Sequence, residues 1–482
     1  MSNASSAAKN VPSLVQGAIF CAIAALGWLI PPIGALTSEG IKILAVLFAV
    51  VYGWSVTSHV WPSLLAFILI PFTGLVDLKG LIIAGWGSDV FLFMVLIFIL
   101  IAYLEESGTS AFVAAWLLTR KFLFGHPWRL LSMLFAVAWL LCTFVNIFAG
   151  IFITWGIIYK MCDILGYKPH DKFPTLVIFG VAAMGALSLS AVPWAHNALV
   201  ILGSFTETTG TPINMLHYLT YSLSFVIFAI AAFLLLCRWV FRLDVSQLKN
   251  LKLDFFNPSD LEFTQARKIA LCGVGGLVIL LLLPSILPAS WGFTAALTQL
   301  GLSNKLILVF LVLSFIRIED KPAFDFISLA NKGMQWGTLI MTMCILAFVN
   351  LLGSPATGIS AFLNQILAPL FANSSYIWFF LILVAITVIL TNLTINMVVA
   401  IVMMTAAFPV AANLGIMPEQ IVYLLTICCT IAFILPSASP AAMVLFANNT
   451  WMKATDVYKY ALPTIIVFSL IALLLNILLF SF

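Results

Sequence analysis

The stretch LTNLTINMVVAIVMM, Leu390–Met404, sets Thr391, Asn392, Thr394 and Asn396 inside an otherwise apolar run. These side chains donate and accept hydrogen bonds, and an amide can serve an anion or a cation. Buried in hydrocarbon without partners, each would cost about 2 kcal/mol or more. Their chemistry is that of ligand binding or of satisfying a broken backbone, not of acid–base catalysis. Three further clusters of the same kind follow. TFVNIFAGI carries Thr143 and Asn146, AVPWAHNALV carries Pro193, Trp194, His196 and Asn197, and SASPAAMVLF carries Ser439 and Pro440.

The elements that position these residues are membrane helices. The 482-residue chain is 63% hydrophobic and 8% charged, against about 25% charged in soluble domains. A bilayer core needs about 20 apolar residues per helix. Such runs read at about 13–33, 41–57, 60–75, 84–104, 128–160, 173–203, 216–241, 268–286, 304–317, 334–352, 376–412, 419–448 and 459–480. A formal net charge of +4 gives no reason to expect nucleic acid as a partner. The eight cysteines show neither a disulfide framework nor a zinc spacing. No G-x-x-x-x-G-K-[ST] loop for ATP is present, so no cofactor is expected. The opening MSNASSAAKN lacks the layout of a signal peptide and reads in part as an expression scar.

Segments 128–160 and 376–412 are too long for one crossing. Arg120, Lys121 and Arg129 precede the first, and Lys160, Lys168 and Lys172 follow it. The second is flanked by loops without Lys or Arg. Lys and Arg collect on the cytoplasmic side, so both segments read as re-entrant hairpins, one opening inward and one outward. The expected fold is all-α and polytopic, with about 11 transmembrane helices plus the two hairpins. Its N-terminus is cytoplasmic and its C-terminus external, and Lys42, Lys79 and Lys305 are the exceptions to the sidedness. Two complete spans per long segment would leave the sidedness unchanged.

The halves repeat. GWG at 85–87 answers QWG at 335–337. Asn146 in TFVNIFAGI answers Asn396 in LTINMVVAI, ILGYKP answers NLGIMP, and Pro193 answers Pro440. An odd number of crossings between equivalent points makes the repeats inverted, a layout of secondary transporters with the ligand near the midplane. The domains read as 1–75, N-terminal scaffold helices; 76–243, the first repeat; 244–267, a cytoplasmic linker; and 268–482, the second repeat. Helix starts at the breaks suit an anion. The substrate-site candidates are Asn146, Asn396, Asn197, His196, Trp194, Thr391, Thr394, Ser439 and Pro440, and the ion-site candidates are Asn146, Asn396, Thr143 and Thr391. No metal site is expected. Thr391, Asn392 and Thr394 either cap the hairpin helix or touch ligand. His196 is either a neutral imidazole on a free carbonyl or a titrating group. Trp194 is packing or a lid. Arg317, Glu319, Asp320 and Lys321 read as an interfacial charge cluster.

From Leu75 to Pro463 these residues resemble the divalent anion–sodium symporter family of di- and tricarboxylate carriers, within the wider ion-transporter superfamily. AGWGSDVFLFMVLIFILIAYLEESG is similar to the family's span ahead of its first hairpin. LPSASPAAMVLFA is similar to its Leu-Pro-x-Ala-Thr-Pro-Pro-Asn stretch. The resemblance implies an elevator-type homodimer in the bacterial cytoplasmic membrane. A scaffold would hold a transport domain made of both hairpins and both broken helices, with carboxylate and sodium bound at the tips. The two Ser-Asn-Thr signatures are Val145-Asn146-Ile147 and Ile395-Asn396-Met397 here, and Pro-Pro-Asn is Pro440-Ala441-Ala442.

The expected function is secondary transport of a small organic anion, a di- or tricarboxylate of succinate or citrate type, by exchange or ion-coupled alternating access. Sodium or a proton is the coupling ion, with the lost hydroxyls weighing against sodium. An uncoupled anion channel, or a carrier of a different anion, is the alternative. An intramembrane enzyme would need clustered metal ligands or paired carboxylates, and a lone histidine at a break supplies neither.

Overall fold

Local caps set where the helices begin and end. Asp77 accepts a hydrogen bond from the Gly80 N–H at 2.8 Å, and Asn214 accepts one from the His217 N–H at 3.0 Å. Gly166, at φ 74°, closes its helix by donating to the Cys162 carbonyl, a left-handed conformation that glycine adopts without steric cost. A computed structural model describes residues 13–56, 60–251, 258–288, 290–318, 320–371 and 375–480. The N-terminal stretch read as an expression scar, part of the linker and Glu319 lie outside the described residues.

The first half runs α1 (Leu14–Leu29), α2 (Ser38–Val56), α3 (Val60–Leu69), α4 (Leu78–Gly85), α5 (Asp89–Glu106), α6 (Thr109–Leu118), α7 (Pro127–Phe144), α8 (Ile147–Leu165), α9 (Lys172–Ser188), α10 (His196–Thr209) and α11 (Met215–Leu235). The second runs α12 (Gln265–Ile286), α13 (Gly292–Gln299), α14 (Gly301–Ser314), α15 (Phe326–Gly333), α16 (Trp336–Gly353), α17 (Ile359–Phe371), α18 (Tyr376–Leu393), α19 (Asn396–Asn413), α20 (Pro418–Cys428), α21 (Pro440–Ala447) and α22 (Ala454–Phe480). Arg317–Ile318 and Lys321–Pro322 pair as a short antiparallel ladder, so Arg317 and Lys321 of the charge cluster lie on its two strands with Asp320 between them.

Among the described residues, 9 helices are long and apolar enough to cross a membrane, or up to 11 if each of two bent pairs is one span. The chain is a polytopic, all-helical membrane protein. The run read at 304–317 is preceded by a 95° bend between α13 and α14 that its composition did not signal.

Two apolar cores divide the molecule. One gathers α6–α9, α11, α18 and α20–α22; the other gathers α1–α5, α12 and α14–α17. Two helices belong to both. Helix α10 gives Ala198, Ile201, Leu202 and Phe205 to the first core and Leu199 and Val200 to the second. Helix α19 gives Val399, Ala400, Met403 and Met404 to the first, and Met397, Val398 and Ile401 to the second. Helical periodicity sorts these sets onto different faces, so α10 and α19 form the seam. An apolar void of about 10 Å³ lies within the second core beside α19, lined by Leu47, Ile345, Phe348, Leu352, Val398 and Ile401. Across the same seam the Ser88 hydroxyl donates to Glu207 at 3.0 Å, joining α5 to α10.

Candidate functional site

Two helix pairs turn back on themselves and two helices break. Helix α7 meets α8 at Val145–Asn146, and α18 meets α19 at Thr394–Ile395. Helix α9 is separated from α10 by 189–195, and α20 from α21 by 429–439. All four interruptions fall in the polar clusters of the sequence. Pro193 lies within the first break. Pro440 is instead the first residue of α21, where its missing N–H has no intrahelical acceptor to lose.

The first tip is self-contained. Asn146 is the N-cap of α8, and its Oδ1 accepts from the N–H groups of Phe148 at 2.8 Å and Ala149 at 3.4 Å. The Thr143 hydroxyl donates back to the Trp139 carbonyl at 2.8 Å. Its break is held by α11, where the Tyr218 hydroxyl donates to the Ser190 carbonyl at 2.7 Å and Ser222 donates to Ala191 at 2.8 Å. The N–H groups of Asn197 and Ala198 return to the Leu189 carbonyl at 3.0 and 3.3 Å. His196 Nδ1 lies 3.0 Å from Asn197 Oδ1, so the Nδ1–H tautomer donates to that amide. Trp194 is buried in the second core.

The second tip is fastened to its break. The Thr391 hydroxyl has one proton and two acceptors in reach, the Cys429 carbonyl at 2.7 Å and Asn396 Oδ1 at 2.9 Å. Asn392 binds Ile431, Phe433 and Ile434 through the backbone. Ser439 caps α21, accepting from the Ala442 N–H at 3.1 Å while donating to the Ala432 carbonyl at 2.7 Å. Helix α19 starts without such help, because its N-cap is Ile395, whose side chain carries no acceptor. Beside it the Thr394 hydroxyl is buried and has no hydrogen-bond partner among the described residues.

Asn146 and Asn396 pair at an offset of 250 in the sequence, but the helix starts, Ile147 and Asn396, pair at 396 − 147 = 249. Asn146 is therefore a cap, and Asn396 is the first helical residue after one. The halves exchange partners at these points, with α8 and α9 packing on α21 and α10 packing on α19 and α20. Thr391, Asn396, Asn392 and Ser439 come together, as do His196 and Asn197. Ser190, which the sequence reading passed over, is 0% exposed, and its hydroxyl has no partner among the described residues. Its signal in the sequence was a serine just ahead of Pro193. Among the described residues no group of His, Cys, Asp and Glu is placed to hold a metal.

Residues 43–428 match the family model described as CitMHS, citrate transporter. No curated protein matches the chain. Among solved structures, the YdaH transporter of Alcanivorax borkumensis is similar, with a TM-score of 0.56 at 16% identity over 84% of this chain and 89% of that one. At that identity the likeness is one of fold.

Proposed function

The chain belongs to the citrate transporter family, and on that premise we propose that it carries a di- or tricarboxylate of citrate or succinate type by elevator-type alternating access. It is an integral membrane transporter and not an enzyme. The observation that carries the substrate reading is the start of α19. Its first N–H groups have no side-chain cap, they carry the positive end of a helix dipole, and the unpaired Thr394 hydroxyl sits beside them. A substrate carboxylate completes that set, with Thr391 and Asn396 behind it. The starts of α8 and α21 are already capped by Asn146 and Ser439, and that of α10 is closed on Leu189.

In this reading α7/α8 and α18/α19 are re-entrant hairpins and the segments 76–243 and 268–482 are inverted repeats, which the near-constant helix offset supports. The core of α6–α9, α11, α18 and α20–α22 is the moving body, and the core containing 1–75 is the scaffold of a homodimer. The seam along α10 and α19 is mostly apolar, which suits sliding. The likeness to the divalent anion–sodium symporters extends to this layout. His196 is the candidate proton carrier, and sodium would be held by backbone carbonyls at the breaks with Thr143, Asn146, Thr391 and Asn396 near them.

The test is uptake of labelled citrate and succinate into proteoliposomes, with and without sodium gradient, proton gradient and internal unlabelled substrate. Saturable uptake with trans-stimulation is expected, and Thr394→Val raises KM about tenfold, one charge-assisted hydrogen bond's worth, at unchanged Tm. Non-saturating flux would make the protein a channel. An unchanged KM in Thr394→Val would remove the α19 start from the site.

A further inference from the structure

The amide of Asn392 has hydrogen-bonding positions on both its nitrogen and its oxygen, and the fold fills them with backbone. Nδ2 donates to the Val388 carbonyl, one turn back in α18, at 2.9 Å, and to the Ile431 carbonyl across the break at 2.8 Å. Oδ1 accepts from the N–H groups of Phe433 and Ile434, each at 3.0 Å. An unwound stretch at membrane depth needs partners that no intrahelical bond supplies. Here one side chain, 5% exposed, supplies three of them. Few residue types could do so, because two donors and a doubly accepting oxygen on a short stem are needed. Aspartate lacks the donors and threonine has one proton. Thr391 adds a second tie, to Cys429, from the preceding position in α18.

We propose that Asn392 is a positioning residue that joins the second tip to the unwound stretch 429–439 as one rigid jaw, holding the α19 start and Thr394 at a fixed distance from that stretch. Its amide is filled by backbone on both sides and takes no part in contacting the carboxylate. The inference rests on the carrier reading for its transport consequence alone, since the tie itself exists without any substrate.

The experiment has two arms. The first is amide hydrogen exchange of purified full-length protein without substrate, read on peptides covering 429–436. Asn392→Ala should speed exchange at Phe433 and Ile434 by about tenfold or more, as expected for losing buried hydrogen bonds. Should that variant not yield folded protein, Asn392→Thr carries this arm, because its single hydroxyl cannot hold the Ile431 carbonyl and both N–H groups at once and should loosen the same stretch severalfold. The second arm is citrate uptake, normalised to the unsubstituted protein at each pH. Asn392→Asp should fall to about a tenth at pH 8 and recover in part at pH 5.5, where a protonated carboxyl regains one donor. Asn392→Ala should show no such recovery.

Unchanged exchange in the variant overturns the proposal whatever uptake does. Lost uptake with unchanged exchange reassigns the amide to the ligand and leaves the carrier reading standing. Faster exchange in a protein that takes up neither citrate nor succinate upholds the tie and removes the citrate and succinate substrate reading.

Discussion

The two tips turn a helix back on itself by different means. At the first, Asn146 caps α8, Thr143 bonds within α7, and the neighbouring break hangs on Tyr218 and Ser222 of α11. At the second, Thr391 and Asn392 reach past their own helix into 429–434, while the start of α19 goes uncapped. Among the described residues no side-chain hydrogen bond joins the first tip to 189–195, whereas the tied second tip carries its break with it. The difference teaches that two halves with matching helix order need not share a mechanical role. In the proposed elevator the second tip and break form a rigid jaw within the moving body, and the first tip is the part free to close on the ligand.

The largest effect should come from the closeness of the first pair. A Cβ added at Gly150 would lie 2.6 Å from both the Cys142 nitrogen and its Sγ. Counting from the N-caps, the equivalent residue in the second pair is Val399, which is accommodated in the core. Gly150→Ala should cost about 1–3 kcal/mol by overpacking, seen as a lower Tm in detergent. Val399→Ala removes two buried methyl groups and should cost about 2 kcal/mol through a cavity instead. A neutral Gly150→Ala would erase the distinction in packing between the two pairs.

A smaller effect tests the caps. Asn146→Ala should destabilise by about 1 kcal/mol and Asn146→Asp should restore it, since both Asn and Asp accept from helix N–H groups. Thermal unfolding of both variants decides the matter. If Asp is as damaging as Ala, the Asn146 NH₂ is the group in use, and the cap alone does not explain this residue. The smallest effect belongs to the seam. Glu207→Gln keeps an acceptor for Ser88 and should change stability by no more than about 0.5 kcal/mol. A larger shift in Tm would mean that the charge itself matters where α5 meets α10.

Much of the candidate site could be read from residue types. Thr, Asn, Ser and Pro inside apolar runs mark places where the helix is interrupted, and all four interruptions lie in the clusters around Asn146, Pro193, Thr391 and Ser439. The register at the tips could not be read. A cap depends on backbone dihedrals, and Ile395 takes the extended conformation, φ −75° and ψ 123°, that a polar residue would ordinarily be expected to hold. Ser190 escaped for a related reason, since burial without a partner is a property of the packed break and not of a serine.

Composition and apolar periodicity alone determined that the chain is a polytopic helical membrane protein, because burying a helix in hydrocarbon demands long apolar runs whatever the fold. Tertiary structure alone decided which polar groups are filled by backbone and which helix starts are left uncapped. Asn392 and Asn396 sit four residues apart in the same motif, yet one is filled by carbonyls and amides of Ile431, Phe433 and Ile434 and the other stands at an uncapped helix start. Those partners lie about 40 residues away along the chain, and a hydrogen bond's direction is fixed only once both ends are placed.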